Sequence, residues 1–218
     1  MLFRVMSFRT KVSRARRLLR HRRECLEFLD SPRQSAALKV IRGEGTIDVR
    51  VSEGSISEEE RSFLGQLVCE TNKEGGPIVE IGTLFGFTTN FLALVKPRER
   101  QLITVDSFTW NPWGLCPSEH RRLTEKVLEI STALLNVKIM ACDKEIFYQT
   151  YSGVAPSLVF LDAVHLYEET KKDILWARDV GCRMITGHDF SVDFPGVVEA
   201  VSESGIPEIR GSVWALRV

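Results

Sequence analysis

The chain has 218 residues, of which 44% are hydrophobic, and its 29 basic residues balance its 29 acidic ones. This length and apolar content suit one α/β domain with an appendage. No apolar run reaches the roughly 20 residues that a transmembrane helix needs. Nine basic residues and no acid lie in residues 1–23, so the remainder of the chain is acidic. An acidic body argues against a core that binds nucleic acid.

The five cysteines are widely spaced, odd in number and without a CxxC pair. They therefore indicate neither a disulfide framework nor a cysteine-rich zinc site. Unpaired cysteines are typical of a reducing compartment, and we predict a cytoplasmic protein.

The basic N-terminal segment has three interpretations. An Arg-rich, acid-free stretch is typical of a mitochondrial targeting peptide, and also of a surface helix that binds anionic lipid or RNA. The third interpretation is an amphipathic arm that packs on the body or on a second subunit as a homodimer. It is favoured because apolar residues recur near one helical face, at Val12, Ala15, Leu19, Leu26 and Leu29.

Two parts of the chain are predicted. Residues 1–56 form the basic arm and a linker, with a short strand near Thr46–Val51. Residues 57–218 form the folded domain, which opens with a helix because Ser57 and Glu60 make a capping box and Gly75-Gly76 ends the apolar periodicity.

From Pro77 onward, five strand–helix units follow one another. Their apolar strands predict a doubly wound, mostly parallel, Rossmann-like α/β sheet with helices on both faces. The last segment, residues 211–218, is predicted to be an antiparallel strand at the edge of this sheet.

Every predicted parallel strand ends in an acid or a histidine. In open α/β sheets, ligands bind beyond the carboxyl ends of the strands. Buried charges are costly unless they have partners, so the recurrence predicts a binding site at this end of the sheet. The residues concerned are Glu80, Asp106, Asp143, Asp162 and the pair His188-Asp189.

The turn from Glu80 to Gly86 departs from the dinucleotide fingerprint G-x-G-x-x-G, because Glu80 stands where the first glycine would be. An acid there would repel a pyrophosphate and suit a cationic amine, while the helix that follows can hold an anionic group at its N-terminus. S-adenosylmethionine carries an ammonium, a carboxylate and a ribose, and Asp106 is spaced to take the ribose hydroxyls.

The segments VEIGTLFGFTT and LITVDSF resemble the first two motifs of class I S-adenosylmethionine-dependent methyltransferases, in the catechol O-methyltransferase-like group. The segments LVFLDAVHLYEETKKDI, MITGHDF and FPGVVEAV are similar to the methyltransferase domain 24 branch, which includes macrolide sugar O-methyltransferases and cephalosporin-hydroxylase-like proteins. The resemblance spans Gly76 to Glu203. It implies methyl transfer to a hydroxyl of a small molecule.

The resemblance also implies roles for individual residues. Cofactor contacts are expected from Glu80, Gly82, Thr83 and Gly86 to the methionine portion, from Asp106 and Ser107 to the ribose, and from Cys142 and Asp143 to the adenine. A divalent cation such as Mg²⁺ is expected on Asp162, His188 and Asp189, with His165 as the general base.

Alternatives remain at this level. The glycines also suit a strand–helix turn without a ligand, and the acids and His165 suit helix caps. Trp110 and Trp113 fit a loop over the site or a packing role. The segment LDAVHLYEE lacks one acid of the family pattern, and Pro-Gly-Gly is absent before the fifth strand. The competing functions are therefore an inactive methyltransferase-like interaction module and an NAD-dependent oxidoreductase.

Overall fold

The computed structural model describes residues 38–42, 45–49, 52 and 55–218. The chain divides into two units between residues 50 and 51. In the first unit, strand β1 (Leu38–Arg42) pairs antiparallel with β2 (Gly45–Val49). Strand β2 overlaps the predicted one near Thr46–Val51, whereas no strand is predicted at β1. The predicted basic arm, with its homodimer contact, lies outside the described residues, and the boundary after residue 56 stays a prediction.

The second unit opens with helix α1 (Glu58–Glu70), which begins at the predicted capping box of Ser57 and Glu60. A 3-10 turn (Thr71–Lys73) follows it. Strands and helices then alternate as β3 (Ile78–Ile81), α2 (Phe87–Val95), β4 (Leu102–Asp106), α3 (Pro117–Val127), α4 (Glu129–Leu134), β5 (Val137–Ala141), α5 (Lys144–Thr150), β6 (Leu158–Leu161), α6 (Tyr167–Asp179), β7 (Met184–Gly187), α7 (Pro195–Ser204), β8 (Glu208–Arg210) and β9 (Val213–Arg217).

Seven strands form one sheet in the order β5-β4-β3-β6-β7-β9-β8. Strands β3 to β7 are parallel, β9 is antiparallel to β7, and β8 is antiparallel to β9. The predicted doubly wound sheet is thus confirmed. The C-terminal strand is antiparallel as predicted, and a turn at Gly211 places β8 along its outer side, so that the antiparallel pair of β9 and β8 forms this edge of the sheet.

The strands β3, β6 and β7 are buried along their whole length because both faces of the sheet are covered. Successive side chains on a strand point to opposite faces. On β3, Val79 and Ile81 belong to one core cluster, whereas Ile78 packs in the other with Leu64 and Leu67 of α1. Among the described residues, no helix is long and apolar enough to cross a membrane.

The order of the strands reverses beside β3. The chain runs outward from β3 through β4 to β5 and then returns to β6, which pairs with the other side of β3. Such a reversal opens a crevice at the carboxyl ends of the two central strands. The fold therefore brings the ends of all five parallel strands to one edge of the sheet.

Candidate active site

A cavity of about 650 Å³ lies at this edge of the sheet, within the size range of small-molecule sites. Three of the predicted site residues, Glu80, Gly86 and Cys142, do not line it. The other nine do line it: Gly82, Thr83, Asp106, Ser107, Asp143, Asp162, His165, His188 and Asp189.

Glu80 lies behind the turn and does not face the cavity. The alternation of β3 directs its side chain away from the face of Val79 and Ile81, and Oε2 accepts a hydrogen bond from the Thr89 hydroxyl on α2. Its Oε1 has no hydrogen-bond partner. Burial raises the pKa of Glu80 to about 8, against the opposing effect of hydrogen bonds from Thr104 and Thr89. Glu80 therefore does not line the cavity, and its direct contact with a cofactor amine stays a prediction.

The two glycines of the turn are required by the packing of the chain on itself. Gly82 has φ +100°, and a Cβ there would lie 1.9 Å from the backbone oxygen of Asp162. Gly86, at φ +81°, precedes α2, and a Cβ there would lie 2.7 Å from Cγ of Leu128. Gly86 thus serves a helix junction, whereas Gly82 also exposes its backbone to the cavity.

Asp106 ties the turn after β3 to the turn after β4. Its Oδ2 accepts hydrogen bonds from the backbone N–H groups of Thr83 (2.9 Å) and Leu84 (2.8 Å), and its Oδ1 accepts one from Phe108 (2.7 Å). A carboxylate offers about four acceptor directions, so one remains for a ligand hydroxyl.

Of the two predicted site residues that follow β5, only Asp143 lines the cavity. Asp143 lines the cavity and caps α5, because its Oδ1 accepts from the N–H of Glu145 at 2.8 Å. The alternative of a helix cap is therefore confirmed for Asp143. Cys142 packs against the core cluster that contains Phe147 and Trp176 and does not line the cavity, and its contact with adenine stays a prediction.

Two acids and two histidines meet at the ends of β6 and β7. We call Asp162, His165, His188 and Asp189 the acid–histidine cluster. The Nε2 atom of His165 lies 3.0 Å from Oδ2 of Asp189 and 3.6 Å from Oδ1 of Asp162. The Nδ1 atom of His188 lies 3.4 Å from Oδ1 of Asp189 and 3.8 Å from Oδ1 of Asp162.

The carboxylates of the cluster control the charge of its imidazoles. Burial on its own would lower both histidine pKa values, but the contacts with Asp162 and Asp189 outweigh it and raise the pKa of His165 to about 9 and that of His188 to about 10. Burial likewise opposes the ionisation of Asp189, yet the two imidazoles hold its pKa far below the ordinary value. The contacts with the two acids therefore favour the protonated form of both imidazoles at neutral pH.

Glu60 supports the cluster from the start of α1. Its Oε2 lies 3.7 Å from Nε2 of His188 and accepts from the N–H of Ser57. Its Oε1 accepts from the N–H and the hydroxyl of Ser212, at 2.6 and 2.7 Å. The capping-box pattern identifies Glu60 in the sequence, but only as a helix cap.

No protein-family model and no curated protein matches the chain. Solved structures do match it. An O-methyltransferase from Bacillus cereus in complex with SAH superposes with a TM-score of 0.58 at 16% identity, over 76% of this chain and 84% of that chain. The O-methyltransferase TomG from Streptomyces achromogenes, in complex with SAM, gives a TM-score of 0.54 at 18% identity, over 75% and 81%. CalS11, a TDP-rhamnose 3′-O-methyltransferase of calicheamicin biosynthesis, superposes with a TM-score of 0.54 at 15% identity, over 91% of this chain and 93% of that chain.

The chain has the class I methyltransferase fold. Within this methyltransferase fold, the cavity lining separates into two groups of residues. The first comes from the ends of β3, β4 and β5, and we call it the donor half: Gly82, Thr83, Asp106, Ser107 and Asp143. The second is the acid–histidine cluster. An S-adenosyl cofactor fits the donor half, because the half combines bare backbone at Gly82 with a free acceptor direction on Asp106.

The acid–histidine cluster also has the ligand atoms that a divalent cation needs. Ligand atoms of Asp162, His188 and Asp189 lie within 4.8 Å of one another. The Nδ1 atom of His188 is buried and makes no well-aligned hydrogen bond, and the same holds for Nε2 of His165. Carboxylate oxygens suit Mg²⁺ and Mn²⁺, while the imidazole biases the set toward transition ions.

An apolar wall completes the cavity. Trp110, Pro112, Val164 and Phe194 line it, and Trp110 keeps 71% of its surface exposed. The ring of Phe194 meets that of His165 edge-on, with centroids 4.7 Å apart. Trp113 packs instead against the edge of Phe85. Trp110 thus lies at the cavity, and Trp113 has the packing role. The sequence alone does not identify Val164 and Phe194 as lining residues.

Proposed function

We propose that this chain is an S-adenosylmethionine-dependent methyltransferase that methylates a hydroxyl group of a small molecule. One observation carries the proposal: a single cavity joins the donor half to the acid–histidine cluster. The O-methyltransferases that share the fold support it, since TomG and the Bacillus cereus protein hold SAM and SAH. Methyl transfer needs a donor and a nucleophile side by side in a shaped site, and the cavity has room for both.

In the proposed reaction, the substrate oxygen attacks the methyl carbon of the sulfonium. The new O–CH₃ bond forms as the S–CH₃ bond breaks, and the electron pair of the broken bond stays on sulfur, which yields S-adenosylhomocysteine. The hydroxyl proton has to leave the oxygen. His165 is the proposed acceptor, because its Nε2 faces Asp162 and Asp189, which stabilise the imidazolium that results.

The proposal also includes a divalent cation at the acid–histidine cluster. A divalent cation on Asp162, His188 and Asp189 would supply positive charge that lowers the pKa of a substrate hydroxyl. The chain brings two carboxylates and one imidazole nitrogen together from the ends of the adjacent strands β6 and β7. The substrate is proposed to be a hydroxylated molecule with an apolar portion, which Trp110, Val164 and Phe194 would contact.

Location and partners complete the proposal. The four cysteines among the described residues, Cys69, Cys116, Cys142 and Cys182, are unpaired, which supports a reducing, cytoplasmic setting. The acidic lining of the cavity supports a small-molecule partner over a nucleic acid. A homodimer through the N-terminal arm remains a proposal from the sequence.

One observation favours a second function, a cofactor-binding module without catalysis. The contacts with Asp162 and Asp189 favour the protonated form of both imidazoles, so positive charge already faces these acids without a metal ion, and His165 is protonated at neutral pH. A protonated imidazole cannot accept the substrate proton. Under this alternative, the protein binds the cofactor but does not turn it over.

Calorimetry with S-adenosylhomocysteine, with and without Mg²⁺ or Mn²⁺, tests the proposal. We expect binding at one site per chain and tighter binding or higher turnover with the cation. Turnover is measured as S-adenosylhomocysteine released in the presence of a panel of phenols, sugars and aliphatic alcohols. Absence of cofactor binding would refute the proposed function, whereas binding without turnover over pH 6–10 favours the non-catalytic module.

A further inference from the structure

Two non-glycine residues beside the donor half adopt left-handed backbone conformations. Leu84 follows β3 with φ +48°, and Phe108 follows β4 with φ +58°. This region is unfavourable for residues with a Cβ, and it persists only where surrounding contacts impose it. Leu84 itself lines the cavity, as do the neighbours of Phe108, Ser107 and Thr109. The contacts that impose these conformations therefore shape the cavity.

Asp106 and His120 both contact Leu84 and Phe108, Asp106 at their backbone N–H groups and His120 at their carbonyl oxygens. Asp106 accepts from the N–H groups of Leu84 and Phe108. His120 contacts their carbonyls: its Nε2–H donates to the Leu84 oxygen at 2.9 Å, and its Nδ1 lies 3.4 Å from the Phe108 oxygen. The hydroxyl of Thr124 donates a further hydrogen bond to the Leu84 oxygen at 2.6 Å.

His120 is enclosed by the residues around it, so its polar atoms face only the two backbone carbonyls. Its side chain is fully buried, with its ring 4.8 Å from that of Phe85 and edge-on to Phe108 at 5.2 Å. His120 and Thr124 lie one turn apart on α3, and they are the two buried residues of that helix. A surface helix normally buries apolar residues. Helix α3 instead turns two polar side chains inward, and both bond to Leu84.

We propose that His120, together with Thr124, is a positioning residue for the methyl donor. It touches the backbone carbonyls of Leu84 and Phe108, in the turns after β3 and β4 that belong to the donor half, and it keeps the backbone of Thr83 and Leu84 in the conformation that receives the cofactor. A site held in its binding conformation before the ligand arrives loses less entropy on binding. The proposal rests on the proposed function, since it assigns the cofactor to the donor half.

The test compares the variants His120→Phe, His120→Gln and Thr124→Val with the wild-type protein. Phe keeps an aromatic ring but has no hydrogen-bond donor, and Gln keeps a side-chain N–H donor. Thr124→Val removes a hydroxyl with little change of volume. Two quantities are measured: amide hydrogen exchange of peptides covering residues 82–88 and 106–112 without ligand, and the Kd of S-adenosylhomocysteine.

In His120→Phe we expect faster exchange in both segments and a Kd about tenfold higher, which corresponds to the loss of one buried hydrogen bond. His120→Gln should recover most of the affinity, and Thr124→Val should weaken it in the same direction. With an active enzyme, the change should appear in KM for the donor and leave kcat at saturating donor close to the wild-type value.

Unchanged exchange in His120→Phe would overturn the proposal, and so would faster exchange with unchanged affinity. If His120→Phe does not fold, Thr124→Val decides by the same two measurements. Failure of the wild-type protein to bind S-adenosylhomocysteine would refute the proposed function instead, and the exchange data on the ligand-free protein would still decide whether His120 holds the two turns.

Discussion

The Nε2 atom of His188 lies 3.7 Å from Oε2 of Glu60, so the first helix of the domain contacts the acid–histidine cluster at the end of β7. The ring then presents its other nitrogen, Nδ1, to Asp162 and Asp189. A carboxylate behind a metal-binding imidazole usually fixes which nitrogen faces the metal. Glu60 is held by Ser57 and Ser212, and it is therefore a rigid support for His188.

Glu60→Ala should weaken divalent-cation binding about 10- to 100-fold, the usual effect of losing such a support. It should also lower the free energy of unfolding by about 1–3 kcal/mol, because a buried cap and its partners lose their hydrogen bonds. Mn²⁺ titration and urea unfolding measure the two effects. Glu59→Ala, an exposed acid of the same helical turn, is the matched control. Wild-type Mn²⁺ affinity in Glu60→Ala would exclude the supporting role.

Asp106→Ala should abolish detectable cofactor binding. The substitution removes the acceptor proposed for the ribose and leaves three backbone N–H groups without their partner. Calorimetry with S-adenosylhomocysteine checks this, and Asp106→Asn should retain partial affinity because its amide oxygen can still accept from one turn. Unchanged affinity in Asp106→Ala would contradict the ribose assignment.

Glu80 should make the stability of the protein depend on pH. The unfolded chain releases this proton near pH 4.5, whereas the folded protein keeps it until about pH 8. The folded state binds more protons than the unfolded state between these pH values. The contribution of Glu80 to the free energy of unfolding is therefore fully present below pH 4.5 and is lost as the pH rises toward 8.

Glu80→Gln removes that titration. Relative to the wild type, the variant should gain stability between pH 5 and pH 8, by on the order of a few kcal/mol. Urea unfolding at several pH values measures the difference, with Glu99→Gln, an exposed acid, as the control. A difference between wild type and Glu80→Gln that does not vary with pH would show that Glu80 is ionised in the folded protein.

Asp189→Asn should spare cofactor binding but reduce turnover by at least about 100-fold, because the variant loses a metal ligand and the charge that faces His165. Asn is the appropriate replacement, since Asp189 has φ +61° and Asn tolerates this conformation better than Ala. S-adenosylhomocysteine binding and release measure the two effects. Asp193→Asn, an exposed neighbour, should behave as wild type. Full activity of Asp189→Asn would rule out its metal role.

The rate should rise with pH in the absence of added metal. His165 can accept a proton only in its neutral form, and its pKa is raised to about 9 by Asp162 and Asp189. Thus kcat/KM should increase from pH 7 through pH 9, and His165→Ala should lower it about 10²- to 10⁴-fold and flatten the profile. A profile that His165→Ala leaves unchanged would assign the base role to another group.

Local patterns predict most of the fold. The five strand–helix units are readable because apolar strands alternate with helical periodicity, and the acids at the strand ends are visible because charges rarely follow buried strands. Strand β8 is not predicted, since Glu208–Arg210 is only three residues long and its pairing depends on a turn at Gly211.

The site is only partly predictable, because strand-end position does not specify orientation. Asp106 and Asp162 line the cavity, whereas Glu80 lies two residues earlier in the register, opposite Thr104 and Phe160, and bonds to Thr89 behind the turn. The supports are harder to find. Glu60 is a helix cap by sequence, and His120 is one polar residue of a polar helix. Their roles depend on contacts with residues far away in the chain, which no local pattern contains.

The contact of Gly82 with the Asp162 carbonyl has a consequence for engineering the proposed enzyme. The turn that would receive the methyl donor and the strand end that would receive the acceptor meet at this contact between two backbones. Trp110 and Val164 lie away from that contact, so replacing them is the way to change which alcohols the cavity accepts, whereas a residue with a Cβ at position 82 would force the two backbones apart.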